Sequence, residues 1–269
     1  LSKISVLIPT YKPQEYIEKC FDSIEKQTLS KEFFKVYIAL NGDRNPYYEY
    51  IESLLTKYSF KSEFIYLEEI GVSNARNKLI DISKEPFITF IDDDDIISEN
   101  YLENLLEIAD ENYISIANVY NFEKDINEKK ENYIGNCFLS LNNIEKSKYK
   151  TRKYFSSPCA KLINRKMIGD VRFDTKLKIG EDSLFMAEIS NKVEGLKKTT
   201  EDTIYYVFER AGSATRKKID KKEEFKRIIY LVGIYIKMLF GNYNKIFIMT
   251  RIAATMKHLK NIFKETVKG

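Results

Sequence analysis

Four times between Lys3 and Asp110, an apolar run of five to seven residues is followed by a polar turn and a segment with helical spacing. Residues 3–8, 34–40, 63–67 and 86–91 read as buried strands, too short and too continuously apolar for surface helices. Residues 13–27, a segment ending near Tyr58, residues 72–82 and residues 98–110 read as helices, the first with Pro13 in its opening turn. A strand followed by a crossover helix returns the chain parallel to itself. Repeated units of this kind predict a mostly parallel α/β sheet covered by helices on both faces. In such open sheets ligands bind outside the carboxyl ends of the strands.

The fourth strand runs straight into Asp92, Asp93, Asp94 and Asp95, which places four carboxylates at that ligand-binding edge. Adjacent carboxylates repel one another, so the turn needs a compensating positive charge. Two sources suit it: a hard divalent cation with oxygen ligands, shared with a substrate phosphate, or the N-terminal dipole of the helix that starts near Ser98.

Other segments gather at the same edge. Pro9 ends strand one and stiffens the turn, leaving Thr10 and Tyr11 at the mouth, and Leu40-Asn41-Gly42-Asp43 follows strand two. Gly71 to Asn77 opens a helix after strand three; its backbone amides, with Arg76 one turn in, suit a diphosphate, or Arg76 pairs with the aspartates. Gly180-Glu181-Asp182 opens a further helix, where the acidic pair serves as a cap or as a general base. Arg210, Ser213 and Arg216 either close over phosphates or begin a basic tail.

Composition limits the chemistry. Apolar residues at 43% and aromatics at 13% supply a packed core, so the chain is not disordered. Cys20, Cys137 and Cys159 are odd in number and widely spaced, which fits reduced thiols in a cytoplasm and not a disulfide framework or zinc site. With His258 the one histidine, acid–base work falls to carboxylates. No secretory signal pattern is visible.

The second half is less regular. Residues 123–153 are Asn- and Lys-rich and are expected to form loops and short elements near an acceptor site. Residues 113–121 read as one extended segment, 160–168 and 181–191 as helices, and 203–208 as a strand. From Arg216 to Gly269, fourteen Lys and Arg face four Asp and Glu, whereas the first 215 residues carry thirty bases against thirty-six acids. The tail reads as two helices broken near Gly241-Asn242. Its apolar run, residues 228–240, is too short to span a bilayer. It suits an amphipathic hairpin on a membrane surface, or a helical pair packed on the body or on a second copy in a homodimer.

In order and spacing these motifs resemble the inverting family 2 glycosyltransferases of the GT-A fold, particularly bacterial enzymes that build surface polysaccharides. The resemblance rests on Ile4 to Tyr11, Gly71 to Asn77, Phe90 to Asp95, Lys161-Leu162, Gly180-Glu181-Asp182 and Arg210 with Ser213. It implies a Rossmann-like GT-A domain over residues 1–216 and a C-terminal helical appendage over residues 217–269. It further implies metal-dependent transfer, with Mn²⁺ or Mg²⁺, from a nucleotide sugar (UDP-sugar expected) to a saccharide or lipid-linked saccharide hydroxyl. The implied place is the cytoplasm or the inner face of the plasma membrane.

The roles carried over are specific. Pro9, Thr10 and Tyr11 would line the nucleobase pocket, joined by Asn41, which stands where the family usually has an aspartate contacting uracil. Asp92 and Asp94 would form the Asp-x-Asp motif and hold the metal, with Asp93 also at the donor and Asp95 behind. Arg76, Lys161 and Arg210 would approach the diphosphate or sugar. Asp182 would be the general base, supported by Glu181.

Two rivals are set against this reading. A sugar nucleotidyltransferase would show a Gly-rich phosphate loop after strand one, and residues 9–13 contain no glycine. A non-catalytic nucleotide-sugar-binding or scaffold relative is suggested by Asn41 and opposed by the retained Asp92, Asp94 and Asp182. Nucleic acid is not expected: the body is acidic and carries no recognition motif.

Overall fold

A computed structural model describes residues 3–209 and 220–266, with side chains described to residue 257. In chain order the first half comprises β1 (Ile4–Thr10), α1 (Tyr16–Glu25), β2 (Phe34–Asn41), α2 (Tyr47–Leu55), β3 (Ser62–Leu67), α3 (Val72–Ile82), β4 (Phe87–Phe90), β5 (Ile96–Ile97), α4 (Tyr101–Glu107), β6 (Tyr113–Ile116) and β7 (Asn118–Phe122). There follow β8 (Lys130–Glu131), α5 (Gly135–Phe138), β9 (Ile144–Glu145), α6 (Lys148–Thr151), β10 (Lys161–Asn164), α7 (Arg165–Ile168), α8 (Glu181–Ile189), β11 (Gly195–Lys198), β12 (Ile204–Phe208), α9 (Lys221–Leu239) and α10 (Lys245–Thr266).

The main sheet has eight strands in the order β3-β2-β1-β4-β10-β6-β11-β9. Its first four strands are parallel, as the repeated strand–helix units require. Every residue of β1 is buried, which explains the continuous apolar run in place of an alternating one. The register decides where the site falls. Thr10 lies opposite Leu40, and Leu7 opposite Phe90, with the Ile91 amide donating to the Leu7 carbonyl at 3.0 Å. Thr10-Tyr11, Asn41-Gly42 and Asp92 therefore leave the sheet together at its carboxyl edge.

Two expectations are corrected. Residues 161–164, read as helical, form β10, which pairs antiparallel with both β4 and β6 and is buried throughout. Pairing on both flanks overrides local propensity there, and helix begins at Arg165. Residues 113–121 are not one strand. The chain breaks at Ala117, whose amide donates to the Ala160 carbonyl, so that β6 stays in the main sheet while β7 enters a second one.

That second sheet, ordered β5-β12-β7-β8, stands beside the aspartates because β5 follows them at once and pairs with β12. The Phe208 amide at the end of β12 donates to Asp95 Oδ1 at 2.8 Å, tying the two sheets at the site.

The tail is two helices, as expected, and α9 and α10 pack on each other and on the body. Leu231, Tyr235, Met238, Phe247 and Ile248 are buried in the same core as the sheet. Each such side chain contributes on the order of 1.5–3 kcal/mol. The Phe247 ring lies 5.2 Å from that of Phe155, and Asp220 caps α9 by accepting from the amides of Lys222 and Glu223. Among the described residues, no helix is long and apolar enough to cross a membrane.

Candidate active site

The end of β1 forms one wall. Thr10 is buried and its hydroxyl donates to Asp93 Oδ2. Tyr11 is 43% exposed, and its ring lies over Gly42, where a Cβ would come within 2.8 Å of a ring carbon. Gly42 also has φ +92°, so turn geometry and ring contact both call for glycine. Asn41 is buried and uses both ends of its amide. Nδ2 donates to the Thr10 carbonyl at 2.7 Å, and Oδ1 accepts from the Gly71 amide at 2.9 Å. The side chain thus ties the exit of β1 to the residue before α3.

Arg76, one turn into α3, is the centre of the charge network. Its Nη2 donates to Asp92 Oδ1 at 2.8 Å and its Nη1 to Asp182 Oδ1 at 2.6 Å. The guanidinium is buried and lies 5.3 Å from the Phe173 ring. Burial opposes its charge, yet the two carboxylates outweigh burial and raise its pKa further. Of the two sequence readings of Arg76, the geometry shows the pairing: it bridges an aspartate of the quartet and Asp182.

The carboxylates divide by burial. Asp92 and Asp182 keep 39% and 27% of their side chains exposed, and Asp94 is also partly exposed. Asp95 is buried, and burial with the charges of Asp94 and Asp92 pushes its pKa well up, against hydrogen bonds from Tyr205 and the Phe208 amide. Asp182 is raised by burial and by Asp92, with Arg76 and Lys161 pulling the other way. Burial, then Asp182, pushes Glu181 up to about 7, and its Oε2 has no protein partner among the described residues. Arg76 Nε is likewise buried without one.

Lys161 is fully buried. Its ammonium donates to the carbonyls of Ser157 and Cys159, and burial lowers its pKa to about 8. In place of the expected direct approach to diphosphate or sugar, the ammonium is turned into the Ser157–Cys159 loop, and its charge acts on Asp182. Arg210, with Ser213 and Arg216, lies outside the described residues. Pro9 is buried in the end of β1.

Two site residues had no role in the sequence reading. The Tyr205 hydroxyl accepts from the Asp92 amide at 3.1 Å, and Phe173 lies against Arg76. Neither carries a local signal beyond an apolar strand or turn. They become visible once β12 and the segment before α8 are seen to meet at the quartet.

Among the described residues, no group of three or more His, Cys, Asp or Glu is arranged to hold a metal. The donor chemistry nonetheless fits a hard cation. Asp92 and Asp94 are partly exposed carboxylates, and their negative charge adds to burial in raising Asp95. Asp92 and Asp94 would hold such a cation through carboxylate oxygens, and it would supply charge neutralisation at a donor phosphate.

The mixed sheet thus carries carboxylates at the exit of β4, facing a further aspartate across a buried arginine. Residues 5–172 match the family described as Glycosyl transferase family 2, and the chain belongs to it. It is 28% identical over 216 residues to the minor teichoic acid biosynthesis protein GgaB of Bacillus subtilis, covering 78% of this chain and 23% of that protein. To the poly(ribitol-phosphate) beta-N-acetylglucosaminyltransferase TarS of Staphylococcus aureus it is 21% identical over 238 residues, covering 88% and 41%. The chain thus spans less than half the length of these relatives. The crystal structure of TarS 1–349 with UDP-GlcNAc superposes with a TM-score of 0.77 at 20% identity, over 94% of this chain and 71% of that one. The mannosyltransferase PcManGT of Pyrobaculum calidifontis, in complex with GDP-Man and Mn²⁺, superposes at 0.62 with 14% identity, over 93% and 69%.

Proposed function

We propose that this glycosyltransferase moves a sugar from a UDP-sugar to a hydroxyl of a cell-surface polymer or its lipid-linked precursor, with inversion at the anomeric carbon. The observation that carries the reading is the Asp92–Arg76–Asp182 bridge, which sets a donor-side carboxylate and a candidate base on opposite sides of one guanidinium. The family supports transfer; the TarS complex and the teichoic acid relatives support the donor and polymer classes.

In this reading Tyr11, exposed above Gly42, offers its ring to the base, and Asp92 and Asp94 hold the cation. When bound, that cation neutralises the departing diphosphate as a Lewis acid. Asp182 takes the proton of the acceptor hydroxyl, which needs one carboxylate opposite the leaving group and no histidine. Arg76 holds that carboxylate in place, and Lys161 adds positive charge behind it. Displacement from one side inverts the centre, so an α-linked donor gives a β-linked product.

The test is calorimetric titration of UDP and GDP with Mn²⁺ and with excess chelator, beside transfer assays on Asp182→Asn. UDP binding that requires the metal and is lost in Asp94→Ala, with transfer falling about a thousandfold or more in Asp182→Asn while UDP affinity holds, is the expected result. GDP preference would overturn the uridine assignment, and near-normal turnover of Asp182→Asn would remove that residue as the base.

A further inference from the structure

Asp182 is the second residue of α8, so its carboxylate stands where the first turn of that helix puts it. The helix does not fix that place by itself. Its N-cap is Gly180, which has φ +91° and makes no side-chain cap. Glycine adopts many backbone conformations at similar cost, and a first turn without a capping side chain leaves its amides unheld. The angle at which α8 leaves the loop is therefore set from outside.

Two helices grip the segment that leads into it. From α3, the helix that carries Arg76, the Asn77 side chain brackets Phe173: Nδ2 donates to its carbonyl at 2.8 Å and Oδ1 accepts from its amide at 2.7 Å. From α9 the grip reaches further along. The Tyr230 hydroxyl donates to Asp174 Oδ2 at 2.6 Å, and Arg227 Nη1 donates to the Ile179 carbonyl at 3.4 Å. The hydroxyl of the buried Tyr235 lies 3.4 Å from Ser183 Oγ, which itself donates to the Gly180 carbonyl at 3.1 Å. A Cβ at Gly180 would come within 3.1 Å of both Arg227 Nη1 and Leu231 Cδ1, so α9 lies directly against the hinge.

Arg227 is itself held in place. Its Nε and Nη2 donate to the two carboxylate oxygens of Glu224, one turn earlier, at 2.7 and 2.5 Å, and both side chains are largely buried. A two-pronged pair of this kind fixes the plane of the guanidinium and leaves Nη1 for Ile179. Arg76 holds one oxygen of Asp182 from the α3 side, while α9 braces the backbone on which Asp182 is mounted.

We infer that α9 is a positioning element for the base. Arg227, set by Glu224, acts with Tyr230 and Tyr235 to hold residues 174–183 so that Asp182 meets the acceptor hydroxyl at a productive angle. The inference rests on the reading of Asp182 as the base, and it makes the C-terminal hairpin part of the catalytic unit. Misplacing a reacting group by about 1 Å costs on the order of a hundredfold in rate, so loosening one restraint among several is expected to cost about tenfold.

The test is a kinetic double-mutant cycle on the full chain, with sugar transfer and UDP titration measured on each protein. Glu224→Gln/Arg227→Met removes the fork while keeping its volume, so no buried charge is stranded. Its kcat falls about tenfold or more, while donor KM and UDP affinity stay within about twofold. In the Asp182→Asn background, followed at high enzyme concentration, the same change costs less than about twofold, because the base it would position is gone. Should the paired variant fail to fold, Tyr230→Phe/Tyr235→Phe decides: it deletes only two hydroxyls, and its kcat falls about threefold or more with the same split.

The inference is overturned by wild-type kcat in the folded variant, by a loss that multiplies undiminished onto Asp182→Asn, or by an equal loss of UDP affinity. Near-normal transfer by Asp182→Asn alone refutes the base reading, and this inference with it. A disabled Asp182→Asn beside a fully active α9 variant refutes the inference and leaves the base reading standing.

Discussion

Removing the guanidinium of Arg76 is the perturbation whose size the structure defines best. Arg76 is buried and contacts two carboxylates, at 2.8 and 2.6 Å. At an effective dielectric near 20, each contact is worth about 4 kcal/mol of Coulomb attraction, against a desolvation cost of several kcal/mol for the buried cation. The intact bridge is therefore close to neutral in net stability. Its loss is not, because Asp92 and Asp182 are left facing each other with no cation between them. Breaking a buried pair in this way costs about 3–5 kcal/mol. Water reaches both carboxylates, which are 39% and 27% exposed, and this places the expected cost near the lower end, about 3 kcal/mol.

For a chain of this length, about 3 kcal/mol lowers Tm by about 5–6 °C. Arg76→Ala should show that fall in differential scanning calorimetry. Arg76→Lys should fall between it and wild type, because one ammonium cannot reproduce a two-pronged fork. The decisive comparison is the double variant. If the cost is stranded charge, Asp182→Asn in the Arg76→Ala background recovers about 1–2 kcal/mol. A shift under about 1 °C for Arg76→Ala, or costs that simply add in the double variant, would refute the argument.

Two further outcomes follow from burial. Glu181 has its folded pKa raised to about 7 from 4.5, so its contribution to stability is present below pH 4.5 and is lost as pH rises through 7. The amount is at most about 3 kcal/mol; Glu181→Gln should flatten that decline in urea midpoints between pH 5 and pH 8, and an unchanged slope would sink the assignment. Phe247→Ala, emptying a buried position beside Phe155, should cost about 3–5 kcal/mol, whereas a loss under about 1 kcal/mol in urea unfolding would mean that the hairpin does not share the core.

The first four strands and their helices were legible because their signal is local: an apolar run of strand length, a break, then helical spacing. Helix α3 falls on the expected residues 72–82. Residues 161–164 were not legible, because a four-residue strand held between β4 and β10's other partner β6 owes its form to its neighbours and shows no period of its own. The same limit applies to side chains at the site. That Asp92 and Asp182 lie near the donor edge can be argued from order along the chain, but that one arginine spans them cannot. Lys161 marks the boundary most clearly, since sequence places it near the site and cannot say that its ammonium turns into the Ser157–Cys159 loop.

Asn41 carries this reasoning one step further. Taken as a replacement for aspartate, it puts uridine selectivity in question. In the structure its Nδ2 donates to the Thr10 carbonyl while Oδ1 holds the Gly71 amide. A carboxylate could keep the second bond but not the first, and would set an anion against the Thr10 carbonyl in a buried place. The amide therefore suits the join it makes between β1 and α3, which accounts for Asn41 on structural grounds. With the amide engaged at both ends, the contact with the base proposed above falls to the Tyr11 ring, exposed over Gly42. A stacking ring does not by itself distinguish uracil from guanine, so on that proposal the comparison of UDP with GDP tests the donor assignment more sharply than any substitution at Asn41.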